Sequence, residues 1–223
     1  MTEGCKCVVL VSGSGSNLQS LLDRYREGRL GAEVAAVVSN RPDAYALERA
    51  REAGVPARVV DHTGFPDRES FDIALREAVA EFRADVVVLA GFMRILTPEF
   101  LTPFSGRMIN VHPSLLPAFR GLHTHRKALE AGCQVHGATV HLVTEDLDAG
   151  PIIAQGAVRI RGDDTPESLA QRVHTVEHRL LPQAVRWFAE GRLEVSGNRV
   201  QVRGHADTPG ELLAPDVEPD PSL

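Results

Sequence analysis

Apolar residues fall along this chain in two rhythms. Val8-Val9-Leu10-Val11, Val34 to Val38 and Asp85 to Ala90 are short runs dominated by β-branched and aliphatic residues. Runs of that kind, bounded by turn residues, read as strands buried on both faces. Between them, apolar positions recur every three or four residues, the spacing of a helix with one buried face. Leu18, Leu21, Leu22 and Tyr25 form one such face, stopped at Gly28, with Ser16 or Asn17 as its cap. A second helix is predicted from Asp43 to Ala53. A third carries Phe71, Leu75, Ala78, Val79 and Phe82 behind an Asp67 cap. Arg58-Val59-Val60 reads as another short strand.

The second half keeps the alternation. Thr97-Pro98-Glu99 is a cap, a first-turn proline and a dipole-matching acid. Met108 to His112 is a strand stopped by Pro113, and a helix runs through Lys127, Ala128 and Leu129 to Gly132. Ala138, Val140 and Leu142 alternate with Thr139, His141 and Val143, the period of a strand. The turn Glu145 to Pro151 leads to a strand from Ile152 to Ile160. Thr165-Pro166-Glu167 opens a long helix bearing Leu169, Val173, Val176 and Leu180, with a kink expected at Pro182. Leu193 to Val202 reads as a short C-terminal hairpin around Ser196-Gly197-Asn198. The pattern predicts one α/β domain over 1–204: a Rossmann-like, mostly parallel sheet with helices on both faces. Residues 205–223, rich in Pro, Asp and Glu, are expected to be a disordered tail.

Composition narrows the function classes. The 223 residues carry a net charge of −6, which argues against a general nucleic-acid binder but leaves room for a local anion pocket. Three cysteines, Cys5, Cys7 and Cys133, give no disulfide framework and suit a reducing compartment. The run Val8 to Val11 is too short for a membrane span or a signal peptide core, so a cytoplasmic protein without a membrane partner is expected.

Three stretches carry candidate chemistry. The first is Ser12-Gly13-Ser14-Gly15-Ser16-Asn17-Leu18, a glycine-rich turn between a strand and a helix. Backbone N–H groups and the helix dipole make such a turn an anion cradle, the alternative being a turn that binds nothing. The dinucleotide fingerprint fails, because its third glycine position is Leu18 and the next strand ends in Ser39-Asn40 rather than an acid. The ATP-type loop fails too, for want of Gly-Lys-Ser/Thr, which leaves a monophosphate-type cradle. The second is Gly91-Phe92-Met93-Arg94-Ile95-Leu96, an apolar loop that either lines a pocket for a flat ligand or joins the core. The third is Met108-Ile109-Asn110-Val111-His112-Pro113, which puts Asn110 and His112 on one face at a strand's carboxyl end. There an amide can donate to an oxyanion and an imidazole can move a proton; the alternative is a satisfied core histidine. Asp148, on a later loop, is the best carboxylate partner for His112, since a carboxylate favours the charged imidazolium; otherwise it is a turn residue. Five of the nine histidines lie between His112 and His141, but no thiol or carboxylate stands at familiar ligand spacing, so no metal is expected.

On these motifs the chain resembles the folate-dependent formyltransferases, and among them the glycinamide ribonucleotide transformylases. The resemblance runs from about Val8 to Leu193 and includes Ala90 to Leu96, Asn110 to Pro117, Gly121-Leu122-His123-Thr124-His125 and Glu145 to Pro151. The histidine-proline stretch is shared across formyltetrahydrofolate-using enzymes; the glycine-rich loop narrows the match. The resemblance implies transfer of a formyl group from 10-formyltetrahydrofolate to the amine of 5'-phosphoribosylglycinamide in purine (IMP) biosynthesis, by direct attack through a tetrahedral intermediate. It implies Asn110, His112 and Asp148 as the catalytic set. Gly15, Ser16 and Asn17 would hold the ribose phosphate, and Glu177, within His174-Thr175-Val176-Glu177, would contact the glycinamide end. Arg68, Met93, Arg94, Ile95, Leu96, Asn110, Thr144, Glu145, Asp146, Leu147 and Asp148 would hold the folate. A cis Leu116-Pro117 bond and a monomer or homodimer go with it.

Ala118-Phe119-Arg120-Gly121 departs from the family's proline-containing version and is similar to the same turn in methionyl-tRNA formyltransferases. That rival is expected to need a further C-terminal domain where this chain has an acidic tail. A formyltetrahydrofolate hydrolase is expected to carry an N-terminal regulatory domain, whereas the first strand here begins almost at once. A catalytically silent sugar-phosphate-binding module is the remaining alternative, against which the joint presence of Asn110, His112 and Asp148 speaks.

Overall fold

The computed structural model describes residues 4–204 and 213–214. Among the described residues ten strands form one mixed sheet: β1 Cys5–Val11, β2 Ala32–Ser39, β3 Ala57–Val59, β4 Val86–Leu89, β5 Met108–His112, β6 Val135–Leu142, β7 Ile152–Arg159, β8 Leu193–Ser196, β9 Arg199–Val202 and β10 Leu213–Ala214. Their order is β3-β2-β1-β4-β5-β6-β7-β9-β8, with β10 added antiparallel to β7. The five strands from β3 to β5 are parallel. β6 then runs antiparallel to both β5 and β7, and β8 with β9 makes the C-terminal antiparallel hairpin. The chain winds from β1 outward to β2 and β3, then returns to β4 and β5 on the other side. The crevice between the carboxyl ends of β1 and β4 is therefore the topological switch point, where open α/β sheets receive ligands.

The helices are α1 Ser16–Arg26, α2 Ala46–Glu52, α3 Arg68–Ala80, α4 Pro98–Leu101, α5 Thr124–Glu130 and α6 Pro166–Ala189. Side chains of β1 alternate between two cores, as strand geometry demands. Cys7, Val9 and Val11 pack with Leu18, Leu21 and Leu22 of α1 and with Leu169, Val173 and Leu180 of α6. Val8 and Leu10 pack with Phe71, Leu75 and Val79 of α3 and Phe100 of α4. Burial on both faces is why these strands read as unbroken aliphatic runs.

Several boundaries differ from expectation, each for a local reason. α2 begins at Ala46, not Asp43, because the Asp43 carboxylate pairs with the Arg41 guanidinium instead of capping, and Ala46 N donates to Gly13 O. Neither Ser16 nor Asn17 caps α1: the cap is Gly15 in the left-handed region, with no side-chain bond. Tyr25 lies at the exposed limit of the α1 face and Phe82 is only half-buried. Asp67 does cap α3, accepting from Ser70 N, whereas Thr97 makes no side-chain cap to α4. α6 opens with a full capping box at Thr165 and Ser168 and runs on through Pro182 to Ala189. The expected disordered tail lies outside the described residues apart from Leu213–Ala214. No helix among the described residues is long and apolar enough to cross a membrane.

Candidate active site

β5 ends where the parallel half of the sheet meets its antiparallel half. Asn110 and His112 share one face of it, and the β5–β6 register sets Asn110 opposite His141 and His112 opposite Thr139. Asn110 Nδ2 lies 3.1 Å from His141 Nε2. His141 Nδ1 is 2.8 Å from Leu142 O, an acceptor only, so Nδ1 carries the hydrogen. Burial lowers the pKa of His141, which keeps it neutral near pH 7 and makes Nε2 an acceptor for the amide. That bond takes one Asn110 amide hydrogen and orients the carboxamide, leaving the other hydrogen to give.

After His112 the chain turns through the cis Leu116-Pro117 bond. The turn is pinned by Thr139, whose hydroxyl donates to Ser114 O at 2.7 Å and accepts from Leu116 N at 3.0 Å. Gln155 Nε2 reaches Leu116 O at 2.9 Å, and Thr124 Oγ1 donates to Pro113 O at 2.6 Å. His112 is 6% exposed. Its Nε2 donates to Phe119 O at 3.0 Å, and its Nδ1 faces Asp148 Oδ2 at 3.4 Å. The same oxygen accepts from Gly121 N at 2.9 Å, and Asp148 Oδ1 stands 3.9 Å from His141 Nε2. Asp148, Phe119 and His123 all hold positive φ without being glycine. Backbone strain gathered at one point is a mark of functional sites.

The glycine-rich turn is braced from outside. Gly15 has φ +73°, and a Cβ there would stand 2.7 Å from Ala46 Cβ. Ser14 O accepts from Arg49 Nε at 2.8 Å. With no side chain capping α1 and no acid in its first turn, the first N–H groups are open to an anion. Asn17 turns back to α6, donating from Nδ2 to Glu177 Oε2 at 2.8 Å, while its buried Oδ1 has no partner. Glu177 is 3% exposed; burial raises its carboxyl pKa, opposed by the Asn17 bond and then by His174 and His112. His174 stacks on His178 at 6.1 Å. Thr175 gives its hydroxyl to Arg172 O, and Val176 is buried in the core.

On the other side of β5 lies a cavity of about 100 Å³. Arg94, Ile95, Leu96, Asn110, Thr144, Asp146, Leu147 and Asp148 line it, together with Phe92 and His141. Met93 and Glu145 are not in its wall, and Arg68 reaches the loop from behind, donating to Ile95 O at 2.7 Å. The apolar loop thus divides: Phe92 and Leu96 are buried, whereas Met93 and Ile95 are exposed. Among the described residues no group of three or more His, Cys, Asp or Glu side chains is arranged to hold a metal.

Sequence reading missed two of the supports, Asp72 and Thr139. Asp72 is buried and accepts from Thr97 N at 2.5 Å, although it lies on a helix between apolar positions. Thr139 and His141 sit in a strand buried on both faces. The only signal for Thr139 was a polar residue at every second place of a run whose apolar face was already accounted for.

The profile of the family described as "Formyl transferase" matches residues 5–185. A protein of Escherichia coli (strain K12) named phosphoribosylglycinamide formyltransferase is 46% identical over 197 residues, 88% of this chain and 93% of that one. The structure of a glycinamide ribonucleotide transformylase from Symbiobacterium toebii superposes with a TM-score of 0.89 at 50% identity, covering 91% of this chain and 95% of that one. A formyltetrahydrofolate deformylase from Pseudomonas syringae pv. tomato superposes at 0.84 and 32% identity, covering 90% of this chain but 66% of the other.

Proposed function

The chain belongs to the formyl transferase family, and from that premise we propose that it moves a formyl group from 10-formyltetrahydrofolate to the amine of 5'-phosphoribosylglycinamide, a step of purine biosynthesis. One observation carries the reading. Asn110 and His112 stand two residues apart at the end of β5, Asp148 lies 3.4 Å from His112 Nδ1, and Asn110 and Asp148 line the adjoining cleft.

In this mechanism the phosphate sits on the backbone of Gly15, Ser16 and Asn17. The unpartnered Asn17 Oδ1 takes a donor from the substrate, and Glu177 holds its glycinamide end. The pterin enters the cleft lined by Ile95, Leu96 and Leu147, with Arg68 and Arg94 near its anionic tail. The neutral amine attacks the formyl carbon. The free Asn110 amide hydrogen and the charge of protonated His112 stabilise the oxyanion; Asp148, 3.4 Å away, balances that charge. As the tetrahedral intermediate collapses, the folate nitrogen leaves with a proton. His112 gives up the Nε2 hydrogen that it otherwise donates to Phe119 O, its Nδ1 side being turned to Asp148, and the attacking nitrogen's proton goes to water. No covalent enzyme intermediate is needed. We place the protein in the cytoplasm as a monomer or homodimer acting on small molecules.

The test is a steady-state assay with both substrates, following folate absorbance with and without the amine. Turnover that requires both supports the reading. Folate turnover without the amine supports a hydrolase instead, and tRNA is the acceptor to try if neither mixture reacts.

A further inference from the structure

One buried hydroxyl touches both loops that the proposed reaction uses. Ser12 Oγ lies 2.6 Å from Asn40 Oδ1 and 2.8 Å from Met93 N. Ser12 is 5% exposed and Asn40 2%. The direction of each bond is forced. An amide N–H only donates, so the serine oxygen accepts from Met93. A carboxamide oxygen only accepts, so the one serine proton goes to Asn40. Asn40 is held in turn by His62, whose Nδ1 is 2.8 Å from Asn40 O. Asn40 directly follows β2, the place where dinucleotide folds present an acid to a ribose; here its side-chain oxygen is committed to Ser12.

The rest of the first loop is tied to α2. Gly13 O accepts from Ala46 N at 3.0 Å, and Ser14 O accepts from Arg49 Nε. Ser12 is the residue that joins this assembly to the loop 91–96. We infer that Ser12 is a positioning residue: its hydroxyl, oriented by Asn40, sets the spacing between the phosphate-holding loop and the folate-holding loop, and with it the separation of amine and formyl carbon. The inference rests on the transferase reading. Each substrate would be anchored on its own loop, so an error in loop spacing passes directly to the reacting atoms. A displacement near 1 Å is enough to lower a rate by about a hundredfold. Each loop would still meet its own ligand, so turnover suffers and affinity does not.

The experiment compares the whole wild-type chain with Ser12→Ala, Ser12→Thr and Asn40→Ala, measuring kcat and both KM values. The expected result for Ser12→Ala is a fall in kcat of about tenfold to a hundredfold, with each KM within about threefold of wild type. Ser12→Thr keeps the hydroxyl and recovers most of the lost turnover. Asn40→Ala leaves the hydroxyl without its acceptor and lowers kcat in the same direction, which keeps the test alive if Ser12→Ala does not fold. Folded Ser12→Ala and Asn40→Ala proteins with wild-type kcat would overturn the inference, as would a rise in the folate KM alone. A wild-type chain without transfer activity would instead remove the reading on which the inference stands.

Discussion

Gly15→Ala tests whether the cradle is held in shape by backbone freedom and by contact with α2. Gly15 has φ +73°, and an added Cβ would meet Ala46 Cβ at 2.7 Å, Ala46 Cα at 2.9 Å and Arg49 Cδ at 3.4 Å. The left-handed conformation alone costs an alanine about 1–2 kcal/mol. The first two distances are clashes with atoms that cannot rotate away, and overpacking of that kind adds roughly 1–3 kcal/mol. The sum is roughly 2–5 kcal/mol, a drop in Tm of roughly 4–20 °C for a domain of this size. Gly13 is the internal control. It lies two residues away in the same turn, but its added Cβ would meet nothing within 4 Å and its φ is not positive. Gly13→Ala is therefore expected to stay within about 0.5 kcal/mol of wild type. Thermal unfolding of the three proteins side by side reads both numbers. If Gly15→Ala melts within about 2 °C of Gly13→Ala, the turn is not held as described.

Asn110→Ala removes the proposed oxyanion donor and should lower kcat by about 10²–10³; steady-state kinetics that found less than a tenfold loss would remove Asn110 from the mechanism. His112→Ala should lower turnover far more than substrate affinity, and near-normal turnover would remove His112 in the same way. Glu177→Gln should stabilise the fold while impairing the reaction. Burial raises the folded carboxyl pKa, so the unfolded chain ionises first, and stability falls as pH rises from the ordinary glutamate value toward the folded one. Urea titrations should show the variant more stable at pH 7 and the gain gone below about pH 4; equal stability at pH 7 would contradict this. His136 is buried, and its pKa is pushed down to about 4 by burial and then by His125. Between about pH 6.5 and pH 4 the unfolded chain takes up a proton that the folded chain refuses, a loss of as much as about 3 kcal/mol. His136→Gln should flatten that part of the stability profile, and an unchanged slope would assign the acid sensitivity elsewhere.

The alternation of aliphatic runs with helix-spaced apolar faces was enough for the α/β class, for most elements and for the hairpin. Hydrophobic period is a local property, and the apolar cores of β1 and β4 and the first half of α6 keep it. The motifs also named Asn110, His112 and Asp148, because a strand end stopped by Pro113 and a Gly-Pro turn announce themselves in one dimension. Strand direction was not legible. β6 runs antiparallel to β5 although a helix lies between them, since the apolar run of a strand carries no mark of its direction.

Nor were the supports legible. That Asp43 goes to Arg41, that Asn17 turns to Glu177 across 160 positions and that Ser12 joins Asn40 to Met93 are decided by which polar groups are left facing one another once the sheet has closed. A buried donor or acceptor must find a partner, and that partner is set by proximity in space. Sequence alone determined what the chain could bury and where it had to turn. Only the tertiary structure decided which polar residues face each other at the end of β5, because hydrogen-bond partners are assigned by distance after the apolar faces have packed.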